Sequence, residues 1–148
     1  MSATSTASTP TVSVFNIEDA RPLAIVDGRC RLCPAADVPA GARRVFTGLA
    51  GRGFGVFNVD GRYYAVRNVC PHKGAPLCYG RLRPHIVGDA AGDFIFERDG
   101  EILKCPWHQW EFDLATGWSL YAPRLRVRTY PITVHDGWLV LHLEDDGD

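Results

Sequence analysis

The sequence predicts an all-β fold, a sandwich or barrel, from its turns, its strand-like runs and the shortness of anything helical. Three Asp-Gly pairs, Asp60-Gly61, Asp99-Gly100 and Asp136-Gly137, each separate two runs rich in β-branched and aromatic residues. Two-residue hairpin turns favour this dipeptide because both central residues need φ > 0. No segment sustains a helical apolar period beyond a few turns, so helix is confined to short pieces, near Ile17 to Ala20 or Ala36 to Val38. At 148 residues the chain can bury a real core as one domain.

Taken in order, Met1 to Thr11 is rich in Ser and Thr and reads as a disordered tail. It has neither the charged start and apolar stretch of a secretory signal nor the arginines of a transit peptide. Residues 1–28 form the N-terminal segment, 29–143 the domain, and 144–148 an acidic C-terminal tail. A first strand carries Cys30 and Cys33. Three antiparallel hairpins follow: Phe54 to Val59 with Arg62 to Arg67, Phe94 to Arg98 with Glu101 to Cys105, and Arg126 to His135 with Trp138 to Leu143. The stretch Arg81 to Asp93, with Gly88, Gly92 and paired alanines, reads as a loop.

Sixteen Lys and Arg stand against seventeen Asp and Glu, a formal net charge of −1. This gives no electrostatic footprint for nucleic acid or an anionic membrane. No apolar run approaches the length needed to cross a bilayer, and cytoplasmic residence is the default expectation.

The chemistry concentrates in two short motifs, Cys70-Pro71-His72 and Cys105-Pro106-Trp107-His108. Each puts one thiolate and one imidazole on a tight Pro-containing loop, and together they make a Cys2His2 ligand set. The strand Arg62 to Arg67 feeds the first loop and Glu101 to Cys105 feeds the second, so the two loops, about 68–79 and 104–113, can meet at one tip. Pro71 and Pro106 restrict φ inside the loops, Gly74 permits an unusual backbone angle, and Pro76 stiffens the exit. Such a set could hold one structural zinc, yet zinc-finger spacing pairs Cys with Cys and His with His, whereas each half here mixes them.

The first motif continues as Lys73-Gly74-Ala75-Pro76-Leu77, and the second as Gln109-Trp110-Glu111-Phe112-Asp113 with Ala115-Thr116-Gly117 beyond. In these residues the chain resembles the Rieske iron-sulfur proteins, from about Arg29 to about Leu143. The resemblance implies an antiparallel base domain with a small inserted cluster-binding subdomain. It also implies one [2Fe-2S] cluster per chain, with Cys70 and Cys105 on one iron and His72 and His108 on the other. Two ferric ions, two sulfides and two thiolates cancel in formal charge. An electron therefore enters more easily than in a four-thiolate cluster, and potentials span roughly −150 to +300 mV. High-potential members carry a disulfide over the cluster and two hydroxyl donors near its sulfurs. The corresponding positions here are Ala75 and Trp107, and Trp110 and Phe112, so the low end of that window is expected. The residue after the second ligand His is commonly Gly in the family. Here it is Gln109, which bears on the fine geometry of that loop.

Two ligand cysteines leave Cys30, Cys33 and Cys78, an odd number that suits a reducing compartment better than a disulfide framework. Cys30-x-x-Cys33 has no second half-site and reads as two small packing residues, as does Cys78. The remaining histidines, His85, His135 and His142, read as surface or strand residues. Lys73, Arg81, Arg83 and Arg98 read as a solvated loop, the alternative being a basic rim for an acidic partner.

The chain has no room for the catalytic iron domain that follows the cluster domain in ring-hydroxylating oxygenases. The resemblance therefore implies a one-electron carrier, a ferredoxin component passing electrons from a flavin reductase to an oxygenase. The alternatives are a permanently bound small Rieske subunit of a larger oxidoreductase, similar to that of assimilatory nitrite reductases, and a zinc-holding interaction module.

Overall fold

A computed structural model describes residues 16–49, 52–71, 74–88, 94–106, 110–120, 122 and 124–143. The expected tails at Met1 to Thr11 and 144–148 lie outside the described residues, as do His72, Lys73, Trp107, His108 and Gln109.

The described chain is built from eleven strands in three open sheets. They are β1 (Asn16–Asp19), β2 (Arg29–Pro34), β3 (Arg43–Leu49), β4 (Arg52–Val59), β5 (Arg62–Arg67), β6 (Arg81–Gly88), β7 (Phe94–Lys104), β8 (Glu111–Asp113), β9 (Thr129–Tyr130), β10 (Ile132–His135) and β11 (Trp138–His142). The largest sheet has the order β9-β5-β4-β3-β1; the others are β10-β11-β2 and β6-β7-β8. The all-β expectation holds, as open sheets rather than a closed barrel.

The central sheet is apolar on both faces. Phe46, Phe54, Val56 and Ala65 on one face pack with Cys30, Leu32, Leu139 and Leu141 of the β10-β11-β2 sheet. Val45, Phe57, Val59 and Val66 on the other pack with Cys70, Leu77, Cys105 and Phe112. A strand buried on both sides loses simple alternation, and Phe54 to Val59 is buried at every residue. Asn58, the polar residue in that run, is satisfied: its amide nitrogen donates to Val38 O at 2.8 Å and its Oδ1 accepts from Gly61 N–H at 2.8 Å.

Local turn chemistry explains two of the three expected hairpins. Asp60 and Asp136 adopt φ of 52° each and are followed by Gly61 and Gly137 at 91° and 79°, the double positive φ of a type I′ turn. A further Asp-Gly pair, Asp27-Gly28, behaves the same way at 54° and 76° and joins the Val26 and Arg29 bridge.

Four expectations need correction. Asp99-Gly100 is not a hairpin turn but lies inside β7, where the register with β6 jumps from Arg83↔Ile102 to His85↔Glu97. The extra residues of β7 bulge opposite Pro84, whose ring nitrogen has no hydrogen to give the ladder. Arg81 to Gly88 is accordingly the strand β6 rather than a loop; residues 89–93 lie outside the described residues. Ile17 to Ala20 is not helical, since Asn16–Asp19 pairs with β3 in parallel. Arg126 to His135 is not one strand: Pro131 divides it, with Thr129–Tyr130 joining β5 and Ile132–His135 joining β11. The short helix near Ala36 is present as a single 3-10 turn, Ala35–Asp37.

β1 is tied in by charge. Asp19 is 5% exposed and accepts from Arg21 Nη2 at 2.7 Å and Arg44 Nε at 3.0 Å. Hydrogen bonds from Arg21 hold its carboxyl down to about 2, against the opposing effect of burial. Arg21 Nη2 also donates to Leu32 O at 3.1 Å, which joins β1 to β2.

Candidate metal centre

Both ligand loops leave the ends of strands on the same side of the central sheet. β5 ends at Arg67 and the chain reaches Cys70 three residues later; β7 ends at Lys104, directly before Cys105. The loops close in the same way. Cys70 N–H donates to Ala75 O at 2.8 Å and Cys105 N–H donates to Trp110 O at 2.7 Å, each spanning five residues. Inside the first, Gly74 N–H returns to Cys70 O at 2.7 Å, with Gly74 at φ 80° as its sequence position suggested. His72 falls within the first closure and His108 within the second; their placement lies outside the described residues.

Cys70 and Cys105 are each 1% exposed and belong to one buried cluster with Ala75, Leu77, Phe112, Leu114 and Val127. Neither is in a disulfide. Two thiols outside any disulfide, carried on matching closed loops into one buried apolar cluster, suit an iron-sulfur group: sulfur ligands, low solvent access, and no competing disulfide. The donor set therefore fits a cluster.

Behind the loops lies a support that sequence reasoning missed. After Pro76 the chain makes a 3-10 turn, Leu77–Tyr79, packed beneath the first loop. Asn68 Oδ1 accepts from Cys78 N–H at 2.8 Å, and Asn68 backbone N–H donates to Gly53 O at 2.9 Å, so one residue links loop, turn and β4. Arg43 donates to Cys78 O at 2.9 Å and also to Gly80 O, while its guanidinium lies 5.1 Å from the Phe57 ring centre. Burial pulls its pKa below the usual guanidinium value. Gly80 then abuts the second loop: a Cβ there would fall 1.8 Å from Lys104 O, the carbonyl just before Cys105. A polar residue just past a strand end marks Asn68 weakly in the sequence, while Arg43 leaves no local signal because its partners lie more than thirty residues away.

The other cysteines are packing residues, as expected. Cys30 and Cys33 are fully buried in β2, and burial pushes the Cys33 thiol up to about 11. Cys78 is also fully buried; its thiol donates to Val66 O at 3.4 Å, and desolvation raises its pKa far above the usual thiol range. Such a thiol stays protonated and closed to oxidants. His135 is exposed at the end of β10, and a ring nitrogen of His142 lies 2.9 Å from Thr133 Oγ1. Among the described residues no helix is long and apolar enough to cross a membrane.

Comparison with known proteins agrees with this geometry. Residues 28–131 match the Rieske [2Fe-2S] domain model. The chain is 32% identical over 119 residues to the 3-phenylpropionate/cinnamic acid dioxygenase ferredoxin subunit of Escherichia coli (strain K12), covering 79% of this chain and 95% of that protein. It is 28% identical over 109 residues to the ferredoxin component of the naphthalene 1,2-dioxygenase/salicylate 5-hydroxylase systems of a Ralstonia species, covering 73% and 88%. The solved Sphingomonas yanoikuyae B1 ferredoxin superposes with a TM-score of 0.57 at 31% identity, covering 76% of this chain and 95% of that one. With both cysteines on matched, buried loops and the family match spanning them, the chain belongs to the Rieske [2Fe-2S] family, whose domain carries one [2Fe-2S] cluster per chain.

Proposed function

We propose that this protein is a one-electron carrier, the ferredoxin component that delivers electrons from a flavin reductase to an oxygenase, working in the cytoplasm. Cys70, His72, Cys105 and His108 are its cluster ligands, within the domain 29–143. The observation that carries the reading is the pair of equivalent loop closures, Cys70 to Ala75 and Cys105 to Trp110, which carry two buried thiols into one apolar cluster. The names of the relatives, ferredoxin subunits and components of aromatic dioxygenase systems, support the role.

The bound cluster supplies reversible one-electron chemistry. The protein's own residues supply the rest. Cys70 and Cys105 sit at 1% exposure, which limits water at the thiolates. The fully buried Ala75 and Phe112 occupy positions where a bridging cysteine and a hydroxyl donor would raise the potential. Arg43, Asn68 and Gly80 hold the two loops in register from behind.

Purified protein tests this directly. It should contain two irons and two acid-labile sulfides per chain, show the reduced-state EPR signal of a mixed Cys/His cluster, and titrate with one electron near the bottom of the roughly −150 to +300 mV window. A colourless protein holding zinc, or a midpoint well above zero, would refute the assignment.

A further inference from the structure

The chain beyond the second cysteine loop folds back on itself in a tightly held turn. Gly117 N–H donates to Asp113 O at 2.6 Å, Ala115 N–H to Asp113 Oδ1 at 2.9 Å, and Trp118 N–H to Thr116 Oγ1 at 3.2 Å. Gly117 has φ 86°, and a Cβ there would lie 2.2 Å from Val127 O, so glycine alone permits the return strand this close. The approach pairs Trp118 with Arg126 in an antiparallel bridge. The Arg126 guanidinium lies 5.3 Å from the Trp118 ring centre, and its Nε donates to Thr116 O at 3.1 Å. Trp118 nevertheless stays 46% exposed.

Around this platform arginines outnumber carboxylates. Leu125 and Val127 turn into the cluster-side core, which leaves Arg124, Arg126 and Arg128 at alternate positions on the outside; Arg124 and Arg126 are exposed. Arg67, exposed at the end of β5, is held alongside by its N–H donating to Arg128 O at 2.9 Å. Of the nearby carboxylates, Glu111 is 6% exposed, Asp113 is half-buried and engaged in the turn, and Glu101 is half-buried with its carbonyl accepting from Leu114 N–H. Exposed Asp37, Asp60 and Asp136 gather instead at the opposite end, since Asp60-Gly61 caps the end of β5 remote from Cys70. Asn58 Nδ2 on Val38 O and Ala35 N–H on Gly137 O bring the other two turns there.

We propose that Trp118, with Arg67, Arg124, Arg126 and Arg128, forms the docking surface for an acidic face of a protein redox partner; this rests on the electron-carrier reading above. An exposed Trp stacked on an oriented Arg is the composition of an interface hot spot, and guanidinium forks match carboxylates in pairs. The clustered arginines attract a negative partner before contact. Four guanidiniums on an overall anionic protein suit a protein face better than a nucleic-acid backbone, which is bound through more phosphate contacts.

The test uses the reduced holoprotein in stopped-flow mixing with two oxidised reporters, an acidic b-type cytochrome and a basic c-type cytochrome, each taking one electron per cluster. The rate with the acidic cytochrome should fall as salt rises. In the Arg124→Glu/Arg126→Glu variant it should drop by about tenfold at low salt, within the range that electrostatic steering spans, while the rate with the basic cytochrome rises. Should the double variant fail to load its cluster, Arg124→Glu alone, at an exposed position, should show the same directions with smaller size. The midpoint potential, read separately, should move too little to explain the change. A cluster that loads and titrates normally but shows rates indifferent to partner charge would overturn the docking surface alone, as would salt-sensitive binding to a duplex DNA oligonucleotide without that charge preference. A protein that holds no cluster would instead overturn the carrier reading.

Discussion

Phe54 and Phe57 stand three residues apart on β4 and belong to different cores. The core of Phe54 is closed by its own side chains: Phe46 stacks on Phe54 with centroids 5.1 Å apart, and Tyr130 meets Phe54 edge-on at 6.1 Å. The core of Phe57 holds three cysteines among its buried members and is bounded by loops that turn through backbone hydrogen bonds. One face of the sheet is finished by rings and aliphatics; the other holds the two thiols we propose as cluster ligands. Stability and redox chemistry are thereby separated by the thickness of one sheet.

That separation can be broken from either side. The largest effect is expected from Cys70→Ser or Cys105→Ser, each of which should abolish the visible absorption and EPR signal and all electron transfer. The far-UV circular dichroism of the base should persist, because neither residue belongs to the Phe54 core. Loss of β structure along with the colour would show that the two cores do not stand apart. Phe54→Ala is the converse: it should cost about 3–5 kcal/mol, as large-to-small changes in a packed core do, measured by urea denaturation. Below the transition its EPR signal should match that of the unaltered protein.

Gly80→Ala sharpens the comparison on the cluster side. Its Cβ would meet the Lys104 carbonyl at 1.8 Å, so the turn or the second loop must move. We expect a loss of about 3 kcal/mol, typical of strong overpacking, with a shifted EPR spectrum or midpoint as the local signature. An unchanged spectrum would mean that the loops are not wedged together through this contact.

The smallest effect belongs to the base. The Asp19 carboxyl is held at about 2 against an ordinary 3.8, a depressed acid, so its stabilisation is complete above its unfolded pKa and is lost as pH falls through the folded one. A shift of that size corresponds to about 2 kcal/mol. Asp19→Asn should lower stability by that amount at neutral pH and flatten the decline between about pH 4 and pH 2. The cluster spectrum should not change, since Asp19, Arg21 and Arg44 tie β1 to the base.

How far the sequence could be read depended on the distance over which each feature is encoded. Asp60-Gly61 and Asp136-Gly137 were legible because a type I′ turn is decided by two residues. The same dipeptide misled at Asp99-Gly100, where the pairing of β7 with β6 absorbs it as a bulge. Ile17 to Asp19 shows the same override, its strand conformation coming from parallel pairing with β3 and the Asp19 ion pairs. At the candidate site, Cys70 and Cys105 announced themselves by spacing, and Gly74 by its place after the Cys70-Pro71-His72 motif. Arg43 did not, since the carbonyls it bonds belong to residues 78 and 80.

By itself the sequence determined the family, the candidate ligand set and the turns at Asp60-Gly61 and Asp136-Gly137, because each of these is a property of a few neighbouring side chains. Only the tertiary structure decided that the central sheet serves two cores, that Pro131 hands the chain from one sheet to the other, and that Trp118 and Arg126 stand together across a return strand. Those outcomes depend on which strands pair and in what register, and pairing is settled by burial across distant segments.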